Sequence, residues 1–247
     1  MKHKMNKIDI TYNFRANHEH QKIIDVDRDS EMLHKCHHLL WTRMFKGQKV
    51  FDINLSINRP YSFKWGQQKL TSDSIITTFS NNKNYKNKLR YFEGFLEKEM
   101  VEFKNIGSTI GGFIIFPGTK LNGSLTINQA RGFHPLIKDR FDLTLECIRL
   151  HYLQANIEYP LKYTLKNYSN FFNLFINFKD YIDFFILQDL VDANYEGINF
   201  WLPFKGFNEN SPLPSNSEDY QIYKDNVISF INNRNKRINL LSLRINH

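Results

Sequence analysis

The chain has no apolar run of about eighteen residues, so the sequence excludes a membrane-spanning helix. Its N-terminus is polar and basic and has no apolar stretch of the kind that a secretory signal requires. Only two cysteines occur, Cys36 and Cys147, far apart and in predicted helices, which fits a reduced interior better than a disulfide framework. We therefore predict a cytoplasmic, soluble protein that does not contact a membrane.

Sequence motifs of well-known active sites are also missing. The glycine-rich segment 107–112 does not end in the Gly-Lys-Ser/Thr of a phosphate-binding loop. There is no Gly-x-Ser-x-Gly elbow, no His-Glu-x-x-His and no Cys-x-x-Cys pair. The interval from Arg149 to His151 is wrong for the Arg-to-His motif of HEPN-type ribonucleases. The sequence thus indicates none of these reactions, and we predict no cofactor.

The chain has fewer acidic than basic residues: 25 Asp and Glu compared with 33 Lys and Arg, which gives a net charge of +8. Two interpretations stay open. The excess favours a surface that attracts polyanions, or it reflects a Lys-, Asn- and Ile-rich composition typical of an AT-rich genome. The charge is spread out and thickens modestly in two places, at Lys83, Lys86, Lys88 and Arg90, and at Arg234, Lys236, Arg237 and Arg244.

At 247 residues the chain is long enough for one domain with a full core, and 22 Phe and 12 Tyr predict that rings fill it. Strand patterns crowd the first half and helix patterns the second, which predicts an α+β fold with a strand-rich N-terminal half packed on a mainly helical, aromatic-rich C-terminal half. We expect a core over about 8–232 and a basic C-terminal tail over 233–247. Strands are predicted at 8–14, 49–55, 61–65 and 198–204, a hairpin or bulged pair at 113–127, and helices at 136–152 and 178–191 and after Ser30, Asn84, Pro160 and Ser217.

Segment 126–152 carries the candidate site. Its first part is predicted as a strand end and polar turn, and its second part as a helix. On a helical wheel Arg140, Thr144 and His151 fall in the middle of the inward side, where polar groups are costly unless they are paired. The predicted solvated side consists of Lys138, Asp139, Asp142, Glu146 and Arg149.

Asp189 is the predicted partner of these residues, because it falls on the ring-rich side of the 178–191 helix. In the structural interpretation, an Arg140–Asp189 ion pair fixes how the two helices pack. In the functional interpretation, Arg140 and His151 line a pocket, and Asp189 orients the imidazole or acts as a base.

Asn128 and Arg131 are predicted where the hairpin leads into the helix. Free N–H groups at a helix N-terminus favour an anion, so both residues are candidates for anion binding. Alternatively Asn128 closes a turn and Arg131 is solvated. Two groups of metal-competent residues, His18-Glu-His20 and the pair His34 and His38, favour surface histidines over ligands, and we predict no metal site.

Three segments carry a family resemblance: Gly111–Gly118 (GGFIIFPG), Thr126–Phe133 (TINQARGF) and Asp139–Tyr152 (DRFDLTLECIRLHY). In these and in shorter segments over most of its length, the chain resembles an uncharacterised bacterial family, a domain of unknown function. The resemblance implies no established reaction. His134 departs from the family pattern, which has Asn there. The polar positions that match it are Asn128, Arg131, Asp139, Arg140, Asp142, Glu146, Arg149, His151 and Asp189.

Two hypotheses of function follow. The first is an enzyme acting on an anionic ligand, a nucleotide or nucleic acid. In it Asn128, Arg131 and Arg140 bind the anion, His151 is the acid/base and Asp189 orients it. The second is a non-catalytic, partner-binding component of a toxin or phage-defence locus, in which the same residues form a structural polar network.

Overall fold

Two antiparallel β-sheets lie in the first half of the chain, of which the computed structural model describes residues 7–16, 25–79 and 97–245. A two-stranded ribbon joins β1 (Met44–Phe45) to β2 (Gln48–Lys49), and both turn residues, Lys46 and Gly47, have positive φ, as a type I′ hairpin requires. The larger sheet contains four strands in chain order: β3 (Ile53–Leu55), β4 (Phe63–Trp65), β5 (Gln68–Ser74) and β6 (Phe113–Pro117).

β6 is the most buried strand of the larger sheet. All five of its residues are buried, and it pairs with β5 from Leu70↔Pro117 to Ser74↔Phe113. A strand covered on both faces appears in the sequence as an unbroken apolar run, which is why its position could be predicted. The pairing sets Asp73 opposite Ile114 and so brings a carboxylate to the end of the sheet where the chain leaves it.

Helices make up most of the second half, so the predicted α+β organisation is confirmed. Ser30 caps α2 by accepting a hydrogen bond from the N–H of Leu33, and Asn177 caps α8 in the same way through Asp180. No helix in the described ranges is long and apolar enough to span a membrane. The helices are α1 (Val26–Asp29), α2 (Glu31–Trp41), α3 (Glu97–Gly107), α4 (Ile127–Phe133), α5 (Phe141–Tyr152), α6 (Lys162–Asn167), α7 (Ser169–Phe172), α8 (Phe178–Phe185) and α9 (Ser217–Ile245), with 3-10 turns at Ile110–Gly112 and Gln188–Leu190.

The last helix, α9, packs along α3 and along the 3-10 turn that precedes β6. It continues through the predicted basic tail to Ile245, and Arg234, Asn235 and Ile238 on its inner side are buried. The side chain of Asn235 accepts a hydrogen bond from the N–H of Gly111 at 2.7 Å and donates one to the hydroxyl of Thr109 at 2.8 Å. The described part of the tail therefore belongs to the packed fold.

Rings fill the core between the larger sheet and helices α7 and α8, as the composition predicts. Phe171 packs against Phe172 at 5.4 Å between ring centroids, and Phe184 against Phe185 at 5.0 Å. Tyr181 lies 4.8 Å from Phe185 and is fully buried among them. Such edge-on and tilted pairs add to the stabilisation from the buried apolar area.

Tyr181 allows a test of what a buried hydroxyl without a hydrogen-bond partner costs the stability of this core. Its hydroxyl is buried and finds no hydrogen-bond partner among the described residues, so it bears an uncompensated desolvation cost. We expect Tyr181→Phe to raise the free energy of unfolding by about 1 kcal/mol, measured by urea denaturation. The control is Tyr223→Phe, which is equally buried but donates to the Thr77 carbonyl at 2.8 Å and should lower stability by a similar amount. A loss of stability in Tyr181→Phe would contradict the expectation.

Several predicted elements differ from the structure. Residues 8–14 alternate apolar and polar side chains but form no strand, because their one described backbone hydrogen bond to another segment is from Phe14 to the carbonyl of Ser108. The predicted pair over 113–127 is wrong, since β6 pairs with β5 and Thr126 begins a helix. The strand predicted at 198–204 reduces to one isolated bridge, Val191↔Ile198.

Two predicted helices are shorter than expected. The predicted 178–191 helix stops at Phe185, because Ile186 takes a left-handed conformation. The predicted 136–152 helix begins only at Phe141. The start of the helix predicted after Asn84, and the His18-Glu-His20 group, lie outside the described residues.

Candidate functional site

Arg131 is the centre of the largest buried polar network near the predicted site. It lies in the last turn of α4 and is fully buried. Its Nη1 donates to the Asp73 carboxylate at 2.6 Å and to the Ser74 carbonyl at 2.9 Å, and its Nη2 to the Asp139 carbonyl at 2.8 Å. Its Nε donates to the hydroxyl of Thr144 at 3.2 Å, and the Asp139 carboxylate lies 3.1 Å from Nη1. The chain itself thus supplies the anions that this buried arginine requires.

The local sequence explains why Arg131 lies where it does. Thr126 accepts a hydrogen bond from the N–H of Gln129, and the Gln129 side chain bonds back to the N–H of Thr126. This reciprocal capping box starts α4 at Ile127. The prediction that residues 126–131 form a strand end and turn is therefore wrong, and Arg131 ends a helix where it was predicted to precede one.

A cleft of about 630 Å³ opens beside the Arg131 network. Its described lining comes from the chain that leaves β5 (Ser74 and 76–79), from the end of α3, from the end of α4 and from the segment after α4. The carboxylate-bearing side chain of Asp139 is 37% exposed, whereas that of Asp73 is 9% exposed, so Asp139 is the acid that faces the cleft. The other charged and aromatic side chains of the described lining are Arg15, Lys104, Lys138, Phe79 and Phe133.

Asp73 and Asp139 share one nitrogen of Arg131, so their carboxylates are close together. Burial raises the pKa of Asp73 to about 6, against the opposing effect of Arg131. Burial also raises the pKa of Asp139, again opposed by Arg131. Two like charges beside a single cation favour retention of a proton. The pair can therefore take up or release a proton nearer neutral pH than an ordinary carboxyl group.

The backbone under Asp139 is strained. Lys138 and Asp139 both have positive φ, 49° and 67°, a conformation that costs a non-glycine residue about 1 kcal/mol or more. Arg131 holds it from two directions, because its carbonyl accepts the Asp139 N–H at 3.1 Å while its guanidinium binds the Asp139 carbonyl. Strain of this kind concentrates at functional sites, and here it fixes the direction of the carboxylate.

The part of the cleft lining that follows β5 is held by α9. The hydroxyl of Tyr223 donates to the Thr77 carbonyl at 2.8 Å, and that of Tyr220 donates to the Thr78 carbonyl at 3.0 Å. Both tyrosines are fully buried. The wall that follows β5 is thus attached to the core on its far side.

Arg140 is the N-cap of α5, whereas the sequence predicted it within the helix. Its guanidinium binds both oxygens of Asp142, and its Nη1 donates to the Pro212 carbonyl at 3.2 Å. Asp142 also accepts the N–H of Trp201 at 3.0 Å and is fully buried. The prediction of a solvated face at Asp142 and Glu146 is wrong, since both are buried and the 201–212 segment contacts Arg140 and Asp142.

The structure does not bring His151 and Asp189 together. The His151 ring is half-buried and packs 5.1 Å from Phe172, and burial lowers its pKa. Asp189 lies in a 3-10 turn, where Arg237 binds it through two hydrogen bonds of 2.8 and 3.0 Å. Neither the predicted Arg140–Asp189 ion pair nor a His151–Asp189 hydrogen bond occurs among the described residues.

Asn128 is half-buried in the first turn of α4. Of the five residues predicted as the site, Asn128, Arg140, His151 and Asp189 do not line the cleft, and Arg131 lies behind it. Their proposed roles therefore stay predictions. Arg15, Lys104 and Phe133 were missed, because no local pattern marks residues that meet only in the folded chain. Asp139 did carry a signal, its match to the family pattern.

Ser72 and His37 resemble a nucleophile and its base, since the Ser72 hydroxyl lies 2.9 Å from His37 Nε2. Trp41, however, donates its Nε1–H to His37 Nδ1 at 2.8 Å. Nδ1 must then be the unprotonated nitrogen, so Nε2 carries the proton and donates to Ser72. Because burial also lowers the pKa of His37 well below its usual value, this imidazole cannot take a proton from the hydroxyl. The pair braces α2 against β5.

The remaining histidines of α2 do not form a metal site. His34 stacks on Phe63 at 4.0 Å and bonds to the Asp27 carbonyl. Within the part of the chain that the structure describes, no three His, Cys, Asp or Glu side chains form a group that could hold a metal ion.

Comparison with known proteins assigns the chain to a family by its sequence. The model of a family of unknown function, DUF6994, matches residues 8–238. The chain belongs to this family. The match confirms the predicted resemblance to an uncharacterised family and covers every cleft residue named above, from Arg15 to Asp139. Neither the curated proteins nor the solved structures gave a match to this DUF6994 chain.

Proposed function

We propose that the chain is an enzyme that acts on an anionic ligand, a nucleotide or nucleic acid, in the cleft beside Arg131. The observation that carries this proposal is a cleft whose described lining combines the carboxylate of Asp139 with the cations Arg15, Lys104 and Lys138. A concave site with a few convergent polar groups and a titrating group of shifted pKa is the usual form of an active site.

Asp139 would be the acid/base of this reaction. Its raised pKa lets it hold a proton closer to neutral pH, and the bonds from Arg131 fix its position. General acid–base catalysis needs both a positioned group and a pKa near the working pH. Arg131 would be a positioning residue, because it acts through Asp139 from behind the cleft.

The three cations would hold the negative charge of the ligand. Lys104 is exposed on α3, Lys138 precedes Asp139, and Arg15 comes from the N-terminal segment. Lys and Arg side chains on both sides of a cleft raise the local concentration of an anionic substrate. The spread positive charge of the chain supports the same attraction in a non-specific way.

The second candidate is a non-catalytic, partner-binding protein. The observation that favours it is that Arg131 and Arg140 are neutralised by Asp73, Asp139 and Asp142 of the same chain. In that case the networks brace the fold, and the cleft does no chemistry.

Two substitutions test the enzyme proposal. The protein would be incubated with a panel of nucleotides and short oligonucleotides, and the products separated by chromatography and identified by mass spectrometry. We expect Asp139→Asn to reduce turnover by about 100-fold or more while the ligand still binds. Lys104→Gln should weaken binding, whereas Lys98→Gln, the same change at an exposed position of the same helix, should not.

The two candidates predict different outcomes. Thermal unfolding of each variant would first show that the fold is kept. An Asp139→Asn protein that is folded and turns over substrate like the parent would exclude Asp139 as the acid/base. If no member of the panel binds the parent protein, the enzyme proposal fails and the partner-binding alternative is favoured.

A further inference from the structure

Phe133 is an exposed ring in the lining of the cleft. Its side chain is 73% exposed, whereas the other phenylalanines that the structure describes are buried or partly buried. It is the last residue of α4, directly after Gly132, and shares the lining with Lys138 and Asp139. No other aromatic ring of the described residues stacks on it. A single exposed ring is ordinary on a protein surface, but Phe133 lines the cleft, where a bound ligand would cover it.

The rest of the described lining combines the apolar side chains of Ile76 and Phe79 with positively charged ones. Among the described lining residues, Arg15, Lys104 and Lys138 are the cations and Asp139 is the acid. A ligand that satisfies this lining has a flat apolar part for the ring and several negative charges for the cations. A nucleobase carrying a phosphate chain has both, because every base presents a π-face and each phosphate is an anion.

We infer that Phe133 stacks on the base of a nucleoside phosphate whose phosphates contact Lys104, Lys138 and Arg15. The inference rests on the proposed function, because it names the ligand class of the same cleft. The volume of about 630 Å³ falls within the range of pockets that enclose one small ligand, which favours a mononucleotide over a long strand. Since one ring recognises every base by the same face, Phe133 selects for a base in general and leaves the choice of base to other groups.

The experiment compares ligands with and without a base. The dissociation constants of ADP, GDP, CDP, UDP and inorganic pyrophosphate would be measured by isothermal titration calorimetry on the full chain. We expect at least one nucleoside diphosphate to bind about 10-fold or more tightly than pyrophosphate. Phe133→Ala should remove this difference and leave the affinity for pyrophosphate unchanged, and Phe133→Trp should keep it. The matched control is Tyr163→Ala, a ring of 72% exposure that does not line the cleft, which should change neither affinity.

The outcomes separate this inference from the proposed function. If pyrophosphate binds and Lys104→Gln weakens it, but Phe133→Ala leaves the diphosphate affinities within twofold of the parent, the cleft binds anions and the stacking role is excluded. If neither pyrophosphate nor any nucleoside diphosphate binds the parent protein, the stacking role is excluded, and the wider panel of nucleotides and oligonucleotides decides the proposed function. Phe133 is exposed, so the alanine variant should keep the parent's melting temperature, and a thermal scan checks this.

Discussion

Replacing Arg234 by methionine is expected to lower the free energy of unfolding by more than about 4 kcal/mol, at the upper end of single-substitution effects. In a chain of this length such a loss corresponds to a fall in melting temperature of about 10 °C or more. Because the whole stability of a domain is about 5–15 kcal/mol, a substantial fraction of the variant should be unfolded near body temperature.

The reason is the number of buried groups that depend on Arg234. Its side chain is fully buried on α9, and no carboxylate of the described residues pairs with it. It donates to the carbonyls of Gly111 and Phe113 at 2.7 and 2.8 Å, and to those of Phe185 and Ile186 at 3.0 to 3.3 Å. Burial lowers its pKa to about 9, so it remains charged at neutral pH. Methionine keeps most of the apolar stem and leaves four buried acceptors without a donor.

The matched control is Arg237→Met, one helical turn further along α9. Arg237 is 48% exposed and binds Asp189 at the surface, where an ion pair contributes about 1 kcal/mol or less. Both variants would be followed by circular dichroism during thermal unfolding. An Arg234→Met protein as stable as Arg237→Met would show that the four carbonyls do not need this donor.

Arg234 also shows where sequence-based prediction of the fold stops. The start of α8 could be predicted, because Asn177 caps it within three residues of sequence. Its end could not: the left-handed Ile186 and its neighbours are held by Arg234, which is 48 residues away. β-branched residues rarely adopt this conformation, so no local pattern announces it. Helix starts with a capping residue and the buried strand β6 were predictable for the opposite reason, since their signals are local.

The candidate site was only partly predictable, because its contacts also join residues that are far apart in the sequence. A buried arginine in segment 126–152 requires an anion, and the structure supplies Asp73 from β5, 58 residues earlier. The pattern of 136–152 placed Asp139 on a solvated helix face, because nothing in the sequence indicates that Lys138 and Asp139 are left-handed. Because of these two left-handed residues, α5 begins only at Phe141, and Asp139 lines the cleft instead of lying on a solvated helix face.

Arg131→Met is expected to destabilise the protein by about 3–5 kcal/mol near neutral pH and by clearly less near pH 5. The substitution removes the cation between Asp73 and Asp139, so the buried carboxylate of Asp73 and the partly exposed one of Asp139 face each other without compensation. The protein can relieve this cost only by protonating them. Low pH supplies those protons, and high pH withdraws them.

The direction in which stability changes with pH follows from the number of protons bound by the folded and the unfolded chain. The carboxyl group of Asp73 has a pKa of about 6 in the folded chain against 3.8 as its ordinary value, so the folded state holds the extra proton between these two pH values. Stability from this group is therefore fully present below about pH 4 and is lost as the pH rises through 6. Without Arg131 the folded pKa rises further, and the loss extends to higher pH at about 1.4 kcal/mol per pH unit for each proton.

Urea denaturation of the parent and of Arg131→Met at pH 5 and pH 8 measures this difference. Arg149→Met is the control, because Arg149 binds Glu146 at 2.7 and 2.8 Å near the end of α5 and is partly exposed. We expect the control to lose about 1 kcal/mol or less at both pH values. Equal losses for Arg131→Met at pH 5 and pH 8 would mean that Asp73 and Asp139 do not take up protons when their cation is removed. Since burial raises the pKa of Asp139 and Arg131 fixes its position, the same result would weaken its assignment as the acid/base of the cleft.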